Sequence, residues 1–162
     1  MLSDATQRAN KDEVTKYPHK KTALLPALKL AQQKMGWLSR TTLADVAALV
    51  GLPHSLAIEL ATFYSMLFTE PVAKKRVEVC VQLPCALVGA EHMARKLAHA
   101  LDVPLEGPPH HLHGKNGDIE VHTTVECFGS CHRAPMCRVG MDYVENVKTD
   151  ADVNALAARL RR

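Results

Sequence analysis

No cysteine occurs in the first 79 residues of this 162-residue chain, so any thiol chemistry belongs to the second half. Other absences narrow the field further. No apolar run approaches the roughly 20 residues that a membrane-spanning helix requires, which argues against direct membrane insertion. The opening Met1-Leu-Ser-Asp-Ala-Thr-Gln-Arg-Ala-Asn10 lacks the apolar stretch of a secretory signal, so a cytoplasmic location is expected. A strong charge of one sign is also missing. The formal net charge of +3 supports neither a nucleic-acid-binding tail nor a polybasic anchor. Lys and Arg are absent between Arg40 and Lys74. That absence argues against a DNA-binding helix-turn-helix around Gly51-Leu52-Pro53, because phosphate contacts need cations. No Gly-x-Gly-x-x-Gly turn or phosphate loop is present, so no nucleotide site is expected on this chain. No acidic pair or Ser/His/Asp set stands out, which argues against a self-contained hydrolase; Asp12-Glu13 reads as a solvated helical face.

What is present is globular, at 47% hydrophobic and 23% charged. Residues 1–72 read as a helical segment. Leu24, Leu28, Ala31 and Met35 recur at helical spacing up to the break at Gly36-Trp37-Leu38-Ser39. Pro26 must sit in the opening turn of that helix or kink it. Ser39 is placed to cap a helix striped by Leu43, Val46, Ala47 and Val50, with Gly51 as its stop. Residues 54–66 carry almost no charge and read as a helix buried on most sides. Phe63, Tyr64 and Phe68 fall within six positions and are expected in the core. From Glu70-Pro71 the period shortens to two: Val77, Val79, Val81 and Leu83 alternate with Glu78, Cys80 and Gln82. A helix over 89–101, a loop over 102–117, strands marked by 119–125, 136–139 and 143–147, and a closing helix over 152–160 give the order β-α-β-β-β-α for residues 73–162. The strand-helix-strand start implies parallel neighbours, so the segments that leave the two strands share one sheet edge.

Four of the five cysteines lie at those exits, as Cys80-Val-Gln-Leu-Pro-Cys85 and Cys127-Phe-Gly-Ser-Cys131. Two such pairs supply four soft ligands for zinc or an iron-sulfur cluster. Spacings of four and three residues depart from the two-residue gap of a catalytic dithiol and from the short knuckles of zinc ribbons. A four-residue arm is shared with plant-type [2Fe-2S] ferredoxins. A zinc-stabilised interaction module remains the alternative of another class. Gly129 suits a tight turn that exposes amides toward cluster sulfurs, and Gly89 and Ser130 are candidates for the same role. His132 and Arg133 bring positive charge that favours a reduced cluster; His132 reads as a surface residue, since a Rieske-type centre needs two histidines. Cys137 stands outside both pairs, in an expected strand, and reads as a small buried apolar residue. His110, His111, His113 and His122 raise the possibility of a second metal site, although a solvated loop accounts for them more simply.

These stretches resemble a known family. Cys80 to Glu91 and Glu126-Cys-Phe-Gly-Ser-Cys-His-Arg-Ala-Pro135 closely resemble the thioredoxin-like [2Fe-2S] ferredoxin subunits of respiratory complex I, the E subunits of bacterial NADH:quinone oxidoreductase. Tyr17-Pro18, Ala23-Leu-Leu-Pro-Ala-Leu28, Gly36-Trp-Leu-Ser39 and Ala61-Thr-Phe-Tyr-Ser-Met66 are similar to the helical segment of those subunits. The resemblance implies an N-terminal helical bundle followed by a thioredoxin-like α/β (α+β) domain with a mixed sheet. It implies one [2Fe-2S] cluster on Cys80, Cys85, Cys127 and Cys131, with no catalytic residue and no complete active site on this chain. FMN and NADH are then expected on a flavin-bearing partner, which donates the electron, within an oxidoreductase whose other peripheral-arm subunits hold the chain at the inner membrane. An equivalent diaphorase subunit of an NAD-dependent formate dehydrogenase or NAD-reducing hydrogenase is the alternative within redox chemistry.

Overall fold

The computed structural model describes residues 2–162, which form two compact units, Met1–Val72 and Ala73–Arg162. Among the described residues, the first unit holds four helices: α1 (Asp4–Val14), α2 (Lys20–Met35), α3 (Arg40–Val50) and α4 (His54–Phe63). Leu24, Leu28 and Ala31 of α2 are buried, with Leu38 and with Leu43, Val46, Ala47 and Val50 of α3. The caps follow the chemistry of the sequence. Ser39 Oγ accepts the Thr42 amide at 3.1 Å, and Gly51 closes α3 at φ 76°, a left-handed conformation that glycine adopts without side-chain strain. Pro26 lies inside α2, past its opening turn, and the helix continues with one backbone donor fewer.

Two expectations for this unit fail. Helix α4 ends at Phe63 rather than Met66, and of its residues only Ala57 and Ala61 are buried. Phe63 is 78% exposed and stacks edge-on against Tyr64, also exposed, with ring centroids 5.2 Å apart. The inner face of α4 is made by Ala57 and Ala61 with partly buried Leu56, Ile58 and Leu60, while His54, Ser55, Glu59 and Thr62 are exposed. Met35 likewise lies outside the core.

The second unit is a five-stranded mixed sheet in the order β2-β3-β1-β4-β5. Its strands are β1 (Lys75–Cys80), β2 (His113–Asn116), β3 (Ile119–Thr124), β4 (Cys137–Val139) and β5 (Asp142–Val144). Strands β1 and β3 are parallel, with Cys80 beside Thr124, and every other pairing is antiparallel. The helix expected over 89–101 is α6 (Ala90–Ala100); a further short helix, α5 (Leu83–Leu87), precedes it where the alternation predicts strand as far as Leu83, and α7 (Asp150–Arg161) closes the chain. Val77, Val79, Val121 and Cys137 form a core with Met93, Ala94 and Leu97 of α6 and Val153, Leu156 and Leu160 of α7.

The opposite face is charged but also closed. Glu78 accepts from Arg138 Nε at 2.6 Å and lies 3.3 Å from His122, while Arg76 approaches Glu120 at 3.5 Å. Burial raises the Glu78 pKa, but the bonds from His122 and Arg138 outweigh it and leave the carboxyl below its ordinary value.

Strand β2 falls in the stretch expected to be a loop. Its Gly114 is required by close approach, since a Cβ there would run into the Pro104 carbonyl oxygen. Strand β1 stops at Cys80 because the Gln82 side chain accepts the Leu83 amide at 2.9 Å and starts α5, leaving Leu83 exposed. No described helix is long and apolar enough to cross a membrane.

Candidate metal centre

The parallel pairing of β1 and β3 brings the two cysteine loops together. Cys80 is the last residue of β1, and Cys85 lies in α5 just beyond it. Cys127 and Cys131 lie in the loop that leaves β3, with Cys131 opening a short 3-10 turn over Cys131–Arg133. Two bonds join the loops. Val81 N donates to Thr124 O at 2.8 Å, and Gln82 Nε2 donates to Val125 O at 3.0 Å. The start of β4 approaches the same edge, where Cys80 N donates to Met136 O at 3.3 Å.

The four sulfurs stand as two pairs of unlike environment. Cys80 and Cys85 are buried, whereas Cys127 and Cys131 are exposed, with their Sγ atoms 3.5 Å apart. Burial pushes the Cys85 thiol up to about 12, the adjacent Cys80 sulfur adds to this, and a backbone bond from Met136 opposes it. Cys127 moves the other way. The Gly129 amide donates to its sulfur at 3.3 Å and holds its pKa below the ordinary thiol value, aided by Cys131. Gly129 can do this because it sits at φ 80°. The Cys131 thiol is raised, first by its bond with Cys127 and then by burial, with smaller effects from Cys127 and Cys80. Smaller electrostatic effects reach Cys85 from Cys131 and Cys131 from Cys80. Among the described residues no three His, Cys, Asp or Glu side chains converge as a single-ion site.

This donor set fits a two-metal cluster chemically. It offers four thiols in two pairs, with a backbone N–H already directed at one sulfur and a second backbone bond at another. Other candidates have different roles. Gly89 uses its amide on Ala86 O in the turn before α6, and the Ser130 hydroxyl donates to Glu145 rather than to a sulfur. Arg133 is paired with Glu145 at 3.2 Å, so its charge is not left to the thiols alone. Cys137 is fully buried in β4, and burial pushes its thiol up to about 12.

His113 and His122 are register partners on β2 and β3, but each is engaged by a glutamate, and no metal-binding group forms among the described residues. His110 and His111 are exposed in a 3-10 turn, His113 faces Glu120 at 3.4 Å, and His122 faces Glu78. Sequence reasoning missed the residues that brace the 127–131 loop. Tyr143 Oη donates to Phe128 O at 2.8 Å, and the Arg138 guanidinium lies 5.1 Å from the centre of the Phe128 ring. These partners come from β4 and β5, and nothing in the local pattern announces them.

The profile of the thioredoxin-like [2Fe-2S] ferredoxins matches residues 10–161. NADH-quinone oxidoreductase subunit 2 of Thermus thermophilus is 36% identical over 162 residues, covering 98% of this chain and 85% of that protein. An NADH-quinone oxidoreductase subunit of the E type from Rhizobium meliloti is 34% identical over 147 residues, covering 90% and 83%. Among solved structures, an NAD+-reducing [NiFe]-hydrogenase in the air-oxidized state superposes with a TM-score of 0.68 at 20% identity. That likeness is one of fold; it covers 85% of this chain and 22% of the hydrogenase chain. With a family profile that spans nearly its whole length and relatives at 34–36% identity over most of both chains, the chain belongs to the thioredoxin-like [2Fe-2S] ferredoxins.

Proposed function

We propose that Cys80, Cys85, Cys127 and Cys131 hold the [2Fe-2S] cluster of this family, and that the chain is an electron-transfer subunit in the NADH dehydrogenase arm of an NADH:quinone oxidoreductase. The observation that carries the ligand assignment is the convergence of two thiol pairs at one sheet edge, joined through Val81, Gln82, Thr124 and Val125. When bound, the cluster supplies one-electron redox chemistry. The chain's own residues hold it, direct the Gly129 amide at a ligand sulfur, and seal its inner side with Cys80, Cys85 and Met136.

The parent complex and the electron donor are part of the same proposal. Relatives at 34–36% identity are named as subunits of NADH-quinone oxidoreductase, which supports that complex over a formate dehydrogenase or hydrogenase. A flavin-bearing, NADH-binding subunit is the proposed donor. Exposed Leu83, Leu87, Val88 and Val125 surround the cysteine loops, as suits a face that a partner covers. On this account the chain sits peripheral to the membrane through its complex, and residues 1–72 form a separate helical domain.

Serine at each cysteine in turn tests the assignment, with iron and acid-labile sulfide counted per chain. Cys80→Ser, Cys85→Ser, Cys127→Ser and Cys131→Ser are expected to lose the cluster or change its resonance spectrum. Cys137→Ser is expected to keep it and to destabilise the fold by about 1–3 kcal/mol, because a hydroxyl is then buried where the thiol was. Full cluster content with an unchanged spectrum in any of the first four would remove that residue from the site.

A further inference from the structure

The segment after β5 reaches back to the cysteine loop, and Glu145 is its centre. One carboxylate oxygen accepts from Ser130 Oγ at 2.5 Å and the other from Arg133 Nη1 at 3.2 Å. Ser130 is buried and directly precedes Cys131; Arg133 follows Cys131 by two residues. The same segment is fastened by its backbone, since Asn146 N donates to Arg133 O at 2.9 Å and Val147 N donates to Pro135 O at 3.1 Å. Tyr143 adds its bond to Phe128 O on the other side of Gly129. The carboxylate of Glu145 is therefore fixed beside the loop rather than free to turn into solvent.

We propose that Glu145 is a positioning residue that sets the reduction potential of the cluster: it holds the Cys127–Cys131 loop through Ser130 and offsets the Arg133 cation. The proposal rests on the ligand assignment above. Reduction adds an electron to a group that already carries negative charge, so a nearby cation favours the reduced form and a nearby anion disfavours it. The two side chains do not cancel evenly. Glu145 is 26% exposed and Arg133 54%, so water and salt screen the cation more than the anion. The pair therefore keeps the potential below the value that Arg133 alone would set.

The test is an anaerobic redox titration of the full chain with its cluster, using dithionite as reductant and electron paramagnetic resonance as readout, at low salt. Iron and sulfide are counted for each variant. Glu145→Gln keeps one acceptor oxygen for Arg133 and offers Ser130 Oγ an amide N–H to accept, but removes the charge, and its midpoint is expected to rise. Arg133→Gln is expected to lower the midpoint, and the double variant to return close to wild type. A merely structural role would not produce shifts of opposite sign. Glu145→Gln with a full cluster and an unmoved or lowered midpoint would overturn the proposal. Should that variant fail to hold a cluster, Arg133→Gln decides, and an unmoved or raised midpoint overturns it. Those results leave the ligand assignment intact. An unchanged resonance spectrum in Cys127→Ser or Cys131→Ser overturns the ligand assignment and this proposal with it.

Discussion

Cys127 and Cys85 are proposed as ligands of one cluster, yet their thiols stand in unlike environments. The Gly129 amide lowers the pKa of Cys127, and burial raises that of Cys85 to about 12, the value also reached by fully buried Cys137. Thiolate is the reactive form, and reaction also needs access. In protein stripped of its cluster, iodoacetamide at neutral pH is therefore expected to label Cys127 first and Cys85 and Cys137 last, as followed by mass spectrometry. Labelling of Cys137 as fast as Cys127 would contradict the burial argument. All four candidate ligands were legible in the sequence because cysteine spacing is a local property. The burial of Cys137 was legible too, through its place in a strand. Glu145 and Tyr143 were not, because their meaning depends on how β4 and β5 fold back toward the Cys127 loop. The pairing that opposes the Arg133 cation was hidden for the same reason.

The α/β order and the parallel β1–β3 pair could be read from periodicity, since a change from helical spacing to a period of two is strong where valines alternate. Strand β2 was hidden because Gly114, Lys115 and Asn116 show no apolar alternation. The Gly117-Asp118 pair was the available signal, a two-residue hairpin turn with glycine at its first position, φ 56°, that joins Asn116 of β2 to Ile119 of β3. The sheet's charged face was also invisible, because alternation suggests solvent where Glu78 is in fact enclosed. Since the folded Glu78 carboxyl titrates below its unfolded value, its contribution is present above the unfolded pKa and lost as pH falls through the folded one. Urea unfolding is expected to show wild type losing more stability than Glu78→Gln between about pH 5 and about pH 3. At neutral pH, Arg138→Met leaves Glu78 short of its main partner and is expected to cost roughly 3–5 kcal/mol. In the helical unit, Leu28→Ala removes a fully buried side chain of α2 and is expected to cost about 2–5 kcal/mol.

As an assembly component, the chain pairs a helical unit with a sheet unit that carries all five cysteines. Phe63, Tyr64 and Met66 leave an aromatic and methionine patch on the helical unit, where the sequence had suggested core. If that unit docks on the flavoprotein, removing residues 1–72 is expected to abolish co-purification with it while leaving the cluster in place. Unchanged co-purification would assign docking to the sheet unit. The central claim, that the two thiol pairs hold a two-iron cluster, is tested most directly by one measurement on anaerobically purified protein: the resonance spectrum after dithionite reduction, with metal and sulfide counted. About two iron and two sulfide per chain with a one-electron paramagnetic signal is the expected result. About one zinc per chain, no labile sulfide and no signal would contradict it.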